Sequence, residues 1–183
     1  MRKPALFSLT LLALFSTHCW MKPHAPLDPA HPLECRVEAA HPRIAGAPIA
    51  MRFQLTNRSE QPLWMLRWNT PWDGWRGTIF AVSFEGQDLP YQGPMVKRGD
   101  PTVEEYVKIR AAESMIIGLD LAQAYDMSKP GTYTVKVVGN LQDVIKDGTN
   151  PPRPRDRFQP MELKCEELTL EVVKGEVAPK VNY

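Results

Sequence analysis

Prolines fall all along this chain and limit its fold more than any other feature. Eighteen of the 183 residues are proline, roughly twice ordinary usage. Each removes a backbone donor and breaks a helix interior, so few windows are left for a long helix. A helical bundle is disfavoured. Between the prolines, apolar and polar residues alternate. Ile49-Ala50-Met51-Arg52-Phe53-Gln54-Leu55 puts Ile49, Met51, Phe53 and Leu55 on one face, the pattern of a half-buried strand. Gly131 to Val137 (GTYTVKV) repeats it.

Four more apolar runs read as strands: Leu63 to Trp68, Ile79 to Phe84, Tyr106 to Ile109 and Ser114 to Leu119. Turn clusters separate them, among them Thr56 to Pro62, the hairpin signal Glu85-Gly86-Gln87-Asp88, and Arg110 to Glu113. Leu33, Cys35 and Val37 share one face of a first strand. Leu163 and Cys165 share one face near the end. The parity then changes before Leu168, Leu170 and Val172, which predicts a β-bulge there or two short strands. One helical turn fits Leu121 to Met127. Asn69 to Thr78 and Asn140 to Pro160 read as long loops. The expectation is one all-β domain over 33–175, an immunoglobulin-like β-sandwich of about seven or eight strands.

The N-terminus reads as an address. Arg2 and Lys3 precede the apolar run Ala5 to Phe15, too short to span a bilayer and typical of a secretory signal peptide over 1–18. Cys19 stands where a bacterial lipoprotein carries its lipid, although Ser16-Thr17-His18 departs from the usual small-residue pattern. Two localisations follow: a periplasmic or outer-membrane lipoprotein, or plain secretion. Residues 19–32, with proline at 23, 26, 29 and 32, read as an extended tether, and 176–183 as a tail. Membrane contact is expected only through Cys19.

In an exported chain Cys35 and Cys165 would pair and tie the first strand to the last. Two buried free thiols are the alternative. No C-x-x-C occurs, and two lone cysteines make a poor metal site.

Lys+Arg is 22 and Asp+Glu is 21, so no strong field points to nucleic acid. The four histidines stand at 18, 24, 31 and 41; whatever folds beyond must work without imidazole. There is no H-E-x-x-H, no G-x-S-x-G, and no phosphate-cradling glycine loop. The expectation is a protein that is not an enzyme, without cofactor or metal.

Two clusters could meet a partner. Trp64, Trp68, Trp72 and Trp75 stand with Arg67 and Arg76, and Trp and Arg are enriched at binding hot spots. Trp64 and Trp68 read as sandwich core. Trp72 and Trp75, in a Pro/Gly loop, fit core and interface equally. The second cluster is Gly93 to Thr102 (GPMVKRGDPT), with Lys97 and Arg98 at a loop tip, read either as a contact or as a solvated turn. Asn57-Arg58-Ser59 matches a glycosylation acceptor, read as accidental beside a bacterial-type signal.

Leu66-Arg67-Trp68-Asn69-Thr70-Pro71, then Tyr91-Gln92-Gly93-Pro94-Met95-Val96-Lys97-Arg98-Gly99, then Asp120 to Val135 (DLAQAYDMSKPGTYTV) form a recognisable series. Over roughly 33–138 it resembles the N-terminal pro-region of secreted deuterolysin-like (M35, aspzincin) metallopeptidases, which include peptidyl-Lys endopeptidases. In that family the region precedes a zinc protease domain with H-E-x-x-H, a motif missing here. The resemblance implies a free-standing pro-region that binds an M35-type protease in trans, as inhibitor, folding helper or both. Lys97, stiffened between Pro94 and Pro101, would lie along the cleft of a Lys-preferring protease, with Trp72 and Trp75 as apolar anchors. The alternative is an envelope lipoprotein whose sandwich binds a surface partner or a small ligand.

Overall fold

The computed structural model describes residues 29–175. The expected signal peptide, Cys19, residues 20–28 of the tether and the 176–183 tail lie outside the described residues.

Strands follow the alternation. In chain order they are β1 (Leu33–Ala39), β2 (Ala50–Asn57), β3 (Leu63–Leu66), β4 (Phe80–Phe84), β5 (Gln87–Asp88) and β6 (Tyr106–Ile109). Then come β7 (Ser114–Asp120), β8 (Gly131–Val137), β9 (Asn140–Leu141), β10 (Val144–Ile145), β11 (Met161–Glu162) and β12 (Leu168–Val172). One sheet has the order β1-β2-β7 and another β12-β8-β4-β5. Two smaller pieces have the orders β10-β3-β6 and β11-β9. Among the described residues no helix is long and apolar enough to cross a membrane.

The two larger sheets face each other. From β2, Met51, Phe53 and Leu55 point in. From the other sheet come Phe80, Val82, Tyr133, Val135, Leu170 and Val172. The Phe53 and Phe80 rings meet edge to face at 6.3 Å. Phe53, Phe80 and Leu55 are almost fully buried, and burying each such side chain contributes about 1.5–3 kcal/mol. The strand orders are those of an immunoglobulin-like sandwich, with β1, β2 and β7 as A, B and E, and β4, β8 and β12 as C, F and G. The tyrosine corner of that architecture is present too. Tyr133, near the start of β8, donates its hydroxyl proton to the Lys129 carbonyl at 2.8 Å.

Cys35 on β1 and Cys165 form a disulfide. Cys165 corrects one expectation: it lies in the irregular link between β11 and β12, not on a strand. The parity change near Glu166-Glu167 is therefore a break between two short strands of different sheets. Trp64 corrects another. It lies on the opposite side of β3 from Leu63 and Met65 and is only partly buried, against a second, smaller cluster, with the Lys108 ammonium 5.4 Å from its ring. Trp68 is buried, but in that second cluster with Leu66, Tyr106 and Ile145. The helical turn is shorter than expected, a single 3-10 turn over Leu121–Gln123. The hairpin after β4 turns at Glu85 and Gly86, both at positive φ (46° and 78°), the geometry of a tight two-residue hairpin.

Asn57, last residue of β2, is fully buried. Its side-chain amide donates to the carbonyls of Gln61, Ile109 and Arg110 at 2.8, 3.1 and 3.1 Å. Its carbonyl oxygen accepts from the Ser59 amide and hydroxyl at 2.9 and 2.7 Å. One side chain thus holds the β2–β3 turn to the end of β6. This leaves the apparent glycosylation acceptor without a free amide.

Candidate partner-binding surface

After β3 the chain reverses sharply. Asn69 takes a positive φ of 53°, and the Thr70 amide and hydroxyl both donate to the Arg67 carbonyl, at 3.1 and 2.6 Å. Pro71 opens a short 3-10 turn, Pro71–Asp73, where a missing N–H loses no bond. Gly74, at φ 74°, ends it. This turn sets the two tryptophans. The Trp72 ring stands edge-on to Phe53 at 5.4 Å. Trp75 meets Phe80 at 5.9 Å, Tyr125 at 6.3 Å and Tyr91 at 6.4 Å. Both are half buried and pack against the main core. Their remaining surface lines an open groove of about 680 Å³ with Met51, Ile117 and Leu119.

Gly93 to Thr102 crosses the surface without regular secondary structure, and both its ends are fastened. On the incoming side the Gln92 amide donates to the Ala124 carbonyl at 2.8 Å and the Tyr91 hydroxyl to the Pro94 carbonyl at 3.1 Å. On the outgoing side Pro101 is buried, and Thr102 and Glu105 form a reciprocal capping box. Arg98 turns inward. Its guanidinium pairs with Asp73, lies 3.6 Å from Glu105 and stacks over Trp68 at 5.3 Å. Its carbonyl accepts from Arg155 Nη1 at 2.8 Å. The Arg155 backbone amide donates to Asp100 at 3.2 Å.

Between the fastened ends stands the tip. Met95 is 75% exposed and Val96 41%, and Lys97 is exposed. Among the described residues, no hydrogen bond, ion pair or ring contact reaches any of the three. Beneath them a trough of about 640 Å³ is lined by Val96, Lys97, Arg98, Arg155, Trp68 and Phe158, among others. With Arg98 neutralised by Asp73 and Glu105, Lys97 and Arg155 give this trough its positive charge.

The electrostatics reinforce the outgoing anchor. Burial works against the charged Glu105 carboxylate, but the Thr102 amide, the Trp68 indole and the Arg98 and Arg67 guanidiniums outweigh it. Glu105 is held below the ordinary carboxylate range. The Trp68 Nε1 proton is donated to it at 2.7 Å. On the incoming side, burial and then neighbouring Tyr91 push the Tyr125 phenol up to about 12, so it stays a donor to the Phe80 carbonyl.

Of the residues singled out in the sequence, Trp72, Trp75 and Arg98 are thus brought together through Asp73, while Lys97 stands apart at the tip. Cys19 lies outside the described residues. Sequence reasoning missed Asp73, Glu105 and Arg155. The Thr102-x-x-Glu105 spacing was a legible capping signal for Glu105. Asp73 and Arg155 left no pattern, because their partners lie 25 and 57 residues away. Among the described residues no group of three His, Cys, Asp or Glu could hold a metal.

No family model matches the chain. It is 29% identical over 100 residues to an extracellular protease of Aeromonas hydrophila, an alignment covering 55% of this chain and 28% of that protein. It is also 29% identical over 97 residues to a probable neutral protease 2 homolog A of Trichophyton rubrum, covering 52% and 27% respectively. The chain therefore spans about a quarter of the length of these curated relatives. The resemblance drawn from the sequence blocks stands: about half of this chain is related to a part of proteins named as proteases. The disulfide suits an oxidising compartment.

Proposed function

We propose that this is a non-enzymatic exported protein that binds an M35-type zinc protease in trans and inhibits it through the Met95-Val96-Lys97 tip. The observation that carries the reading is the loop's construction. Three exposed residues, without a partner among the described residues, stand between ends clamped by Arg98, Arg155, Tyr91 and Gln92. A tip already held in shape loses little conformational freedom when it enters a cleft, so more of its contact energy appears as affinity. Lys97 supplies a side chain that a Lys-preferring protease accepts, and Met95 and Val96 supply apolar surface beside it. The protease-named relatives support a partner of this class. A role in helping that protease fold is compatible with the same contact.

The test is titration of a mature deuterolysin-type protease with the purified exported chain. Inhibition saturating at one-to-one is expected. Lys97→Ala is expected to weaken it about thirtyfold, the loss of a hot-spot side chain worth about 2 kcal/mol. Lack of both complex and inhibition across such proteases would sink the reading.

A further inference from the structure

Strand β7 is an outer strand of the β1-β2-β7 sheet, and among the described residues no strand pairs with its far edge. Two bonds flank its pairing with β2: Leu121 N–H to the Ile49 carbonyl at 3.0 Å and Asn57 N–H to the Glu113 carbonyl at 2.9 Å. With the register Met51↔Leu119, Phe53↔Ile117, Leu55↔Met115, the odd-numbered residues bond to β2. Antiparallel geometry then turns the N–H and C=O groups of Ile116 and Gly118 outward, away from β2. Natural sheets guard such edges with charge, proline or a bulge. Ser114 to Leu119 (SMIIGL) has no charge and no proline. Ile116 is 54% exposed. Met115, Ile117 and Leu119, which point toward the sandwich interior, are only half buried. Their partners across the register, Leu55, Phe53 and Met51, are 0%, 1% and 3% exposed.

We propose that this edge pairs with the same edge of a second copy, antiparallel about a two-fold axis at Ile117. That register is self-complementary at every position. Ile116 falls opposite the partner's Gly118, where no side chain competes for the space. Next to Gly118 on that face lies a shallow depression lined by Glu38, Ala39, Ala40, Ala50 and Arg52. Ser114 falls opposite the partner's Asp120. Oδ1 of Asp120 already accepts from the Ile49 and Ala122 amides at 2.8 and 3.0 Å, which leaves Oδ2 for the serine hydroxyl; that hydroxyl, 2.8 Å from Thr56 Oγ1, can accept from Thr56 while it donates to Asp120. No like charges meet. On the inner side Met115 lies beside the partner's Leu119 and Ile117 beside Ile117, covering the half-buried row next to the Trp72 and Trp75 groove. Other registers fit worse: an axis at Gly118 sets Ile116 against Asp120, and one at Ile116 leaves both glycines uncovered.

The interface does not depend on the reading of Lys97 and is tested separately, by sedimentation of the exported chain from micromolar to submillimolar concentration. A concentration-dependent dimer is expected, and Ile116→Lys, on the exposed face, is expected to keep its circular dichroism and stay monomeric throughout. Register is read with Ile117→Cys in a Cys19→Ser background. The Ile117 pair, non-hydrogen-bonded across the edge, brings Cα atoms to about 4.5 Å, so a covalent dimer forms on oxidation; Met115→Cys is expected to form none. A wild-type monomer at every concentration overturns the proposal, as does a dimer indifferent to Ile116→Lys. A monomer that loses protease binding with Ile116→Lys assigns the edge to the protease and overturns the dimer.

Discussion

Arg98 does the opposite of what an exposed hot-spot arginine does. Its charge is consumed inside the molecule by Asp73 and Glu105, and its plane lies on Trp68. Lys97, one residue earlier, has none of these partners. The pair therefore separates by experiment. Arg98→Ala is expected to loosen the loop and lower thermal stability, whereas Lys97→Ala leaves the melting temperature unchanged and affects only the contact. Glu105 makes the anchor sensitive to acid. Its folded carboxyl is held below the ordinary range, so its contribution to stability is present above the unfolded pKa of about 4.3 and fades as pH falls through the lower folded value. Urea unfolding at a series of pH values is expected to show wild type and Glu105→Gln converging below about pH 4, with the difference present at neutral pH. Asn57 is a heavier single-residue tie. Asn57→Ala strands three carbonyls at a fully buried position and is expected to cost about 2–3 kcal/mol in chemical denaturation.

At the level of elements, the longer strands were legible, whereas β9 and β10 were not, since they lie inside the segment 140–160 that reads as a loop. Alternation marks β2 and β8 because each has one face in the core and one in solvent, so burial prints itself on every second residue. Trp64 misleads for the same reason in reverse: in a short apolar run such as Leu63 to Leu66 the outward residue is apolar too, and period two cannot be read. Cys165 was legible as a bonded cysteine but not as a loop residue, since its inward direction is set by the disulfide and not by a pleat. The Gly93–Thr102 loop was visible from its glycines and prolines. Its anchoring was not, because it depends on ties to Asp73 and to Arg155 that no local pattern encodes. The Arg155 tie rests on a buried support. Asp143, fully buried, accepts from the Tyr106 hydroxyl at 2.8 Å, from Arg153 at 3.0 Å and from the Gln159 amide at 2.8 Å. Asp143→Asn is expected to release the 150–160 segment, read as faster amide exchange there and at Arg98.

The whole molecule is closed by one covalent tie across 130 residues of chain. On the chain-entropy view a loop of that length stabilises the fold by about 4–5 kcal/mol. The Cys35→Ser, Cys165→Ser double variant is expected to lose several kcal/mol in urea unfolding while keeping its β-rich circular dichroism. Lys97 lies between the two cysteines in sequence, and this gives the tie a second meaning. A protease that accepts the tip and cuts after Lys97 makes two fragments that cannot leave each other. One carries β1 to β5 and the other β6 to β12; they share three mixed sheets and a sulfur bridge. The severed ends stay where the intact bond was, so the nicked molecule remains a single particle that still occupies the cleft, and its resealing competes with its release. On a gel the cut shows only after reduction.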